Sequence, residues 1–508
     1  AHLAAAAATA PGGDDRPAAA AAAGAATAPA GGAVPLTPAQ RWFLDRGQPH
    51  PEQWTLSVEL LARAPLALAP LRLAASLLAA RHDALRLRFR RTAGGWTQAL
   101  GPGASGESPD GGPPLVCGFD LAAVPAGERE AAVDRVAAGL QASLDLEHGP
   151  LLRLGLCDLG RRTPQRLLLV VHHLVADGGS LKLLVAELAS AYRQIAAAGE
   201  ASLPPPTAAF SRWAERLAEL AAAPETAAEL PFWTRLAEAR PAALPLDLPQ
   251  GDNTAESQEV VDAALDRDRT QALLRLVPQS FRTEVHEAVL AAAATALASW
   301  AGGGTLLIDV ERDGREADLA LDTSSTVGWF TVLAPALLEA GEDADPVRVL
   351  AQVRERLRAA PRSGLGYGLL RYGAGERALG ALPAAPVAFA YLGQFDHAGG
   401  GEALLGTPRD TAVQRQSPGA RRGHLLEIAA AVQDGALHVT WVYSRNLHRR
   451  ATIAAVADRC LAALGRLIAA AEPRSPAAAA SADFPEAELD EAELELILQQ
   501  FAPEGEVA

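Results

Sequence analysis

The chain has 508 residues, 49% of them hydrophobic, enough apolar material for roughly two to four domain cores. Its net charge of −15 excludes nucleic acid as a main partner, because a phosphate backbone needs a basic face. No apolar run reaches the roughly 20 residues of a membrane span, and the alanine-rich start lacks the basic region of a secretory leader. A cytoplasmic location away from membranes is therefore expected. Cys117, Cys157 and Cys460 are far apart and form no C-x-x-C pair, so they read as small buried apolar residues rather than a zinc site or a disulfide framework. Methionine is absent, which suggests a piece of a longer or processed chain.

Residues 1–34 are rich in Ala, Gly and Pro and too poor in large side chains to offset their ordering entropy; they read as a linker. Structure is expected to begin at PLTPAQRWFLDR, 35–46. A helix follows over 68–85, then a hairpin of LRLRFRRT (85–92) and GGWTQAL (94–100). A second helix spans 126–146, strands cover 151–159 and 165–174, and a third helix runs over 181–199 with Ser180 placed to cap it. LPPPT at 203–207 is a clear break. Beyond it the pattern predicts helices over 210–223 and 230–239, a strand near 256–264 and an alanine-rich helix over 283–302. The strand TLLIDV (305–310) runs into a polar loop. A helix over 347–360, a strand over 385–395, a hairpin over 425–444 and a helix over 451–471 complete the body. The chain thus divides into two α/β halves, 35–205 and 206–475, with an acidic tail over 476–508 whose leucines form one apolar stripe.

Three stretches carry chemistry. In VVHHLVADGGS, 170–180, two histidines close an apolar strand and an Asp-Gly turn follows. Neighbouring strand residues face opposite ways, so His172 and His173 cannot both enter one site; one belongs to the interior and one can look into a cleft. This also argues against a two-histidine metal site. An imidazole suits proton transfer at neutral pH, and Asp177 with Gly178 forms a tight turn in which a carboxylate can hold an arginine. In ERDGRE, 311–316, Glu311 sits where an apolar strand surfaces; partial desolvation there raises a carboxyl's pKa and lets it act as an acid. In FAYLGQFD, 389–396, Tyr391 at a strand end can support a developing oxyanion or simply pack at the core edge.

Taken together, HHLVADG, PLTPAQRWF, RTEVHEAVLAA, ERDGRE, STVGWFT, SGLGYG and FAYLGQFD resemble, in order and style, the epimerization domains of nonribosomal peptide synthetases. These belong to the condensation-domain superfamily, whose HHxxxDG motif is matched at His172–Gly178. VGWFT and YLGQFD are the specific signals, and the resemblance covers about 35–501. It implies an α/β fold of two chloramphenicol acetyltransferase-like lobes in a V-shaped pseudo-dimer with the active site between them. It implies epimerization of an L-aminoacyl or peptidyl group to the D form. The group would be held as a thioester on the phosphopantetheine arm of an upstream carrier protein, with no permanently bound cofactor and no metal. His173 and Glu311 would be the two acid/base groups and Tyr391 a support for the enolate. His172, Gly178 and Asp177 would be supporting residues, Asp177 paired with Arg315. The tail would end such a domain, and a downstream condensation domain is a second partner the resemblance admits.

The chain departs from the family pattern at Leu181, where a Trp is usual, at Arg312 and Asp313, which replace Gly and His, and at Ala390, which replaces Asn. Three rival readings share the motif: a condensation catalyst joining two carrier-bound groups, an epimerase-like domain that only docks a carrier, and an acyltransferase using coenzyme A.

Overall fold

The computed structural model describes residues 32–102, 114–317, 319–395, 404–406 and 413–472. Most of the expected linker and the acidic tail lie outside them. Ala33–Val34, assigned to the linker from composition, is a short strand β1 instead, paired with the hairpin that follows. The helix α1, Pro38–Leu44, starts at a capping box: Thr37 accepts from Gln40 N, and the Gln40 side chain accepts from Thr37 N at 2.9 Å.

The first lobe is built from β2 (Thr55–Ala62), the hairpin β3 (Leu87–Thr92) and β4 (Gly95–Leu100), and β5 (Val116–Asp120), β6 (Leu152–Asp158) and β7 (Arg166–His172). β2, β7, β6 and β5 form one sheet in that order, antiparallel except for β5 with β6. The continuous apolar run of β7 is explained by cover on both faces. Leu167 and Leu169 join α2 (Leu68–Arg81) and α4 (Gly178–Ala198), while Leu168 and Val170 meet α3 (Arg129–Ala142). The cap of α4 is Asp177, whose carboxylate accepts from Ser180 N at 2.8 Å, rather than Ser180. Both residue types cap well, and here the helix begins earlier than its apolar periodicity suggests.

The second lobe is a six-stranded sheet in the order β10-β9-β11-β14-β15-β8, with β8 at Gln258–Leu265, β9 at Gly304–Asp313, β10 at Thr331–Ala340, β11 at Val387–Phe395, β14 at Leu426–Gln433 and β15 at Ala436–Ser444. The helices Arg267–Phe281, Val285–Ala301, Pro346–Ala359 and Arg450–Ala471 share the apolar core on one face. The alanines of Val285–Ala301 are buried nearly all round, which lets this helix sit close to the sheet and to two neighbouring helices. The opposite face of β9, β11 and β14 lines a cleft against the first lobe. Two elements have no clear signal in the sequence, for a physical reason. Pro335 argues against a strand, yet β10 is an edge strand and tolerates it. Pro278 argues against a helix, yet it sits in the last turn of Arg267–Phe281.

The division between lobes does not follow the chain at residue 205. The helix α5, Phe210–Ala221, and the segment 319–332 place Phe210, Trp213, Leu319, Val327, Trp329 and Phe330 in the first lobe's core. The short strands β12 (Leu405–Gly406) and β13 (Val413–Arg415) cross over and pair with β2. No cysteine is bonded to another, and Cys157 and Cys460 are buried.

Candidate active site

β7 ends at His172, whose ring is fully buried. Its Nε2 lies 2.9 Å from Pro51 O and its Nδ1 accepts from Leu174 N at 3.1 Å. This pattern defines a neutral imidazole with the proton on Nε2. Burial pushes its pKa down to about 3, against the Pro51 carbonyl that favours the charged form. His172 therefore holds the turn as a neutral ring. The chain then tightens into a single helical turn, 173–175, which aims His173 at the cleft. Its ring stacks on Trp54 at 4.2 Å and lies 5.0 Å from Trp329. Aromatic faces on the imidazole hold its orientation.

Asp177 stands at the junction of the lobes. Its carboxylate accepts from Arg315 Nη1 and Nη2 at 2.8 and 3.1 Å, from Ser180 N, and from Phe330 N at 3.1 Å. Burial works to raise the pKa of this carboxyl, but the Arg315 guanidinium and the backbone donors outweigh it and hold the group below the usual carboxylate range. Arg315 also donates to Ser180 Oγ at 2.8 Å and lies 4.0 Å from the centre of the Phe330 ring. Ser180 Oγ bridges both backbone groups of Gly328. A Cβ at Gly328 would lie 2.1 Å from the Phe210 ring, so only glycine allows this approach. Gly178 is the buried first residue of α4. Asp313, one of the departures, caps the turn 314–316 and accepts from Arg315 N at 2.9 Å, so it joins this network.

Strand register explains the floor of the cleft. Asp309 pairs with Ala388 and Ala388 with Glu427; in the next row but one Glu311 pairs with Ala390. Asp309, Glu311 and Glu427 therefore share one face of the sheet, spaced by alanine methyls that leave room above them. Asp309 has a partner in His424 at 2.9 Å and Glu427 one in Arg422 at 3.2 Å. Glu311 has no hydrogen bond or ion pair among the described residues, and it lines the same cleft as His173. Burial, then the like charges of Glu427, Asp309 and Asp177, push its pKa up to about 8. At neutral pH it is mostly a carboxylic acid.

Tyr391 is not brought to this cleft. It lies on the opposite face of β11, with Phe389, packed against the second lobe's core, and burial pushes its pKa up to about 12. The residue of FAYLGQF beside Glu311 is Ala390. Leu181 fills the first lobe's core. Sequence reasoning misses Trp54, Trp329, Asp309, His424 and Glu427. Trp329 lies in the quoted VGWFT, and the others carry no local pattern. Among the described residues no cluster of His, Cys, Asp and Glu could hold a metal ion, and no helix is long and apolar enough to cross a membrane.

The family described as Condensation domain matches residues 31–479. The chain belongs to the condensation-domain family. Chondramide synthase cmdD of Chondromyces crocatus is 38% identical over 477 residues, 92% of this chain and 12% of that protein. A linear gramicidin synthase of Brevibacillus parabrevis is 36% identical over 471 residues, 91% of this chain and 9% of that protein. The chain thus spans about a tenth of these relatives' length. Among solved structures, the epimerization domain from the third module of tyrocidine synthetase B aligns with a TM-score of 0.78 at 29% identity, covering 87% of this chain and 98% of that one. The first condensation domain of the CDA synthetase aligns with a TM-score of 0.64 at 21% identity, covering 88% of this chain and 98% of that one, and shares the fold. As a condensation-family domain, this chain has the mixed α/β fold that the resemblance implied.

Proposed function

We propose that this condensation-family domain epimerizes the α-carbon of an acyl group held as a thioester on a carrier protein's phosphopantetheine arm, in nonribosomal peptide synthesis. The observation that carries the reading is the placement of His173 and a protonated Glu311 on opposite lobes of one cleft. Inverting a stereocentre needs proton removal on one face and delivery on the other. The thioester acidifies the α-hydrogen. Neutral His173 accepts that proton and the electron pair passes to the thioester oxygen as an enolate. The Glu311 carboxylic acid returns a proton to the α-carbon from the other lobe. The reverse turnover uses Glu311 carboxylate as base and imidazolium as acid, so the pair is reset without a cofactor. Condensation needs only a base at His173; the raised proton affinity of Glu311 favours proton transfer to carbon.

The test is to load a carrier protein with an L-acyl thioester in deuterated water and follow α-deuteration, chirality and amide formation. Label uptake with D product supports the epimerase. Amide formation with a second loaded carrier, without label, supports condensation. In the direction where Glu311 is the acid, the rate is expected to fall as pH rises through about 8.

The same carboxyl bears on stability. Its folded pKa of about 8 lies above the ordinary 4.5, so the native state holds the extra proton between these values. Stability is then lost progressively as pH rises from 4.5 to about 8. Glu311→Gln removes that loss. The Tm advantage of this variant over the parent should widen across that interval and level off above it, as thermal melts in a pH series would read.

A further inference from the structure

The face of the first lobe's sheet that lies under α3 carries a charge the cleft chemistry does not use. In β6, Leu152 and Leu154 face the lobe's main core, so Arg153 and Gly155 face α3. Arg153 stands beside the buried Val170 of β7 and is only 4% exposed. Its Nη2 donates to Cys117 Sγ at 3.3 Å, a weak acceptor. Its Nε and Nη1 are buried and meet no acceptor among the described residues. A buried cation without a partner is strongly destabilising, so one that is kept calls for an anion.

Arg153 lines a groove of about 470 Å³ that shares no residue with the cleft of His173 and Glu311. One wall is a single face of α3, formed by Ala132, Arg135, Val136, Gly139 and Leu140 at spacings of three and four. The other wall is Phe119, Leu121 and Val124. A Cβ at Gly139 would meet nothing within 4 Å, so the helix leaves the groove open there.

The charges on these walls have one sign. Arg135 is exposed, Arg153 is buried, and no carboxylate lines the groove among the described residues. Acids of the same region lie outside it or are committed. Asp134 is exposed on α3 and is not part of the lining. Glu130 and Glu59 hold Arg166, and Asp145 accepts from the backbone of Glu147 and His148. The rest of the wall is carbon, apart from Ser143, whose hydroxyl donates to Leu140 O. A cation entering here would meet two guanidinium groups, and a bare inorganic anion would leave the carbon walls wet. An apolar body that ends in one carboxylate suits both features. Its oxygens accept from the guanidinium, and its hydrocarbon covers Phe119, Val136 and Leu140.

We propose that this groove is a binding site for an apolar carboxylate, with the carboxylate on Arg153 and the hydrocarbon along α3. Its test titrates the full chain with octanoate, octanol, octylamine and acetate, followed by calorimetry and saturation-transfer NMR. Octanoate should bind at least about tenfold more tightly than octanol, the scale of one charge-assisted hydrogen bond, and more tightly than acetate, which lacks the body. Octylamine should not compete with it. Arg153→Leu removes an unpaired buried charge and should keep the fold, while octanoate falls to the affinity of octanol. Gly139→Trp fills the groove from an exposed helix position, puts no core packing at risk, and should weaken octanoate and octanol alike. Octanoate that binds no tighter than octanol in the parent overturns the proposal, since Arg153 is then served by water alone. Binding kept in both variants places the ligand elsewhere and overturns it too. Loss in Gly139→Trp but not in Arg153→Leu would leave an apolar groove with no anion site, which overturns the carboxylate assignment. All three outcomes leave the epimerase reading of the cleft intact.

Discussion

His173→Ala and Glu311→Gln should each lower epimerization by about 10²- to 10⁴-fold, the range for loss of a positioned acid or base. The two losses should differ in kind. With one base left on one lobe, one face of the α-carbon can still exchange. Each variant should therefore retain slow deuterium uptake into one enantiomer, without inversion, and the two variants should retain it for opposite enantiomers. Mass spectrometry of L- and D-loaded carriers in deuterated water reads this directly. Loss of both activities in His173→Ala, with no effect of Glu311→Gln, would instead assign all the chemistry to the histidine, as condensation requires. The buried neutral state of His172 makes His172→Asn a different experiment: it disturbs the turn through Pro51 and Leu174 and should act on stability first.

Breaking the Asp177–Arg315 pair should cost about 3–5 kcal/mol, the penalty for leaving one buried charge without its partner. Arg315→Leu strands a carboxylate that has only two backbone donors left, from Ser180 and Phe330. Asp177→Asn should cost less than Arg315→Leu, because the guanidinium held over Phe330 keeps a second carboxylate, Asp313, at 3.4 Å. Arg315→Lys should not rescue, because an ammonium cannot bond both carboxylate oxygens and Ser180 Oγ at once. Denaturant midpoints read the loss, and removing both partners together should cost less than the sum of the single losses. The carboxyl is held below its ordinary 3.8, so the stability it confers is complete above that value and is lost as pH falls through its folded pKa. Activity should fall with the pair although neither residue meets the substrate, since Asp177 closes the turn that aims His173 and Arg315 follows the strand that carries Glu311.

What can be read from the sequence is what is local. The strand ending in two histidines, the carboxylate where an apolar strand surfaces, and the alternation of helices with strands are all patterns within a dozen residues. Tyr391 shows where local reading fails although the information is present. In Val387–Tyr391 the bulky Phe389 and Tyr391 share one parity and the alanines the other. The bulky side is the core side, so the small residues face the cleft. A hydroxyl at a strand end draws attention to chemistry, while the alternation around it is the better guide to direction. Asp309, Glu427 and His424 are illegible for another reason. They are neighbours only because β9, β11 and β14 lie side by side in a register set by strands up to 118 residues apart, as Asp309 and Glu427 are.

β12 and β13 occupy what would otherwise be the outer edge of β2, so the first lobe borrows its final strands from the second. Cutting the gene at the proline run 203–207, the most obvious seam, would release a fragment whose β2 presents unpaired backbone groups to any passing strand. Such a fragment would also lack Trp329 and Phe330 from its interior. The visible hinge in the primary structure is thus a poor place to divide this domain for swaps between synthetases. Exchange of the whole unit, from β1 to the helix Arg450–Ala471, keeps both borrowed strands with their host.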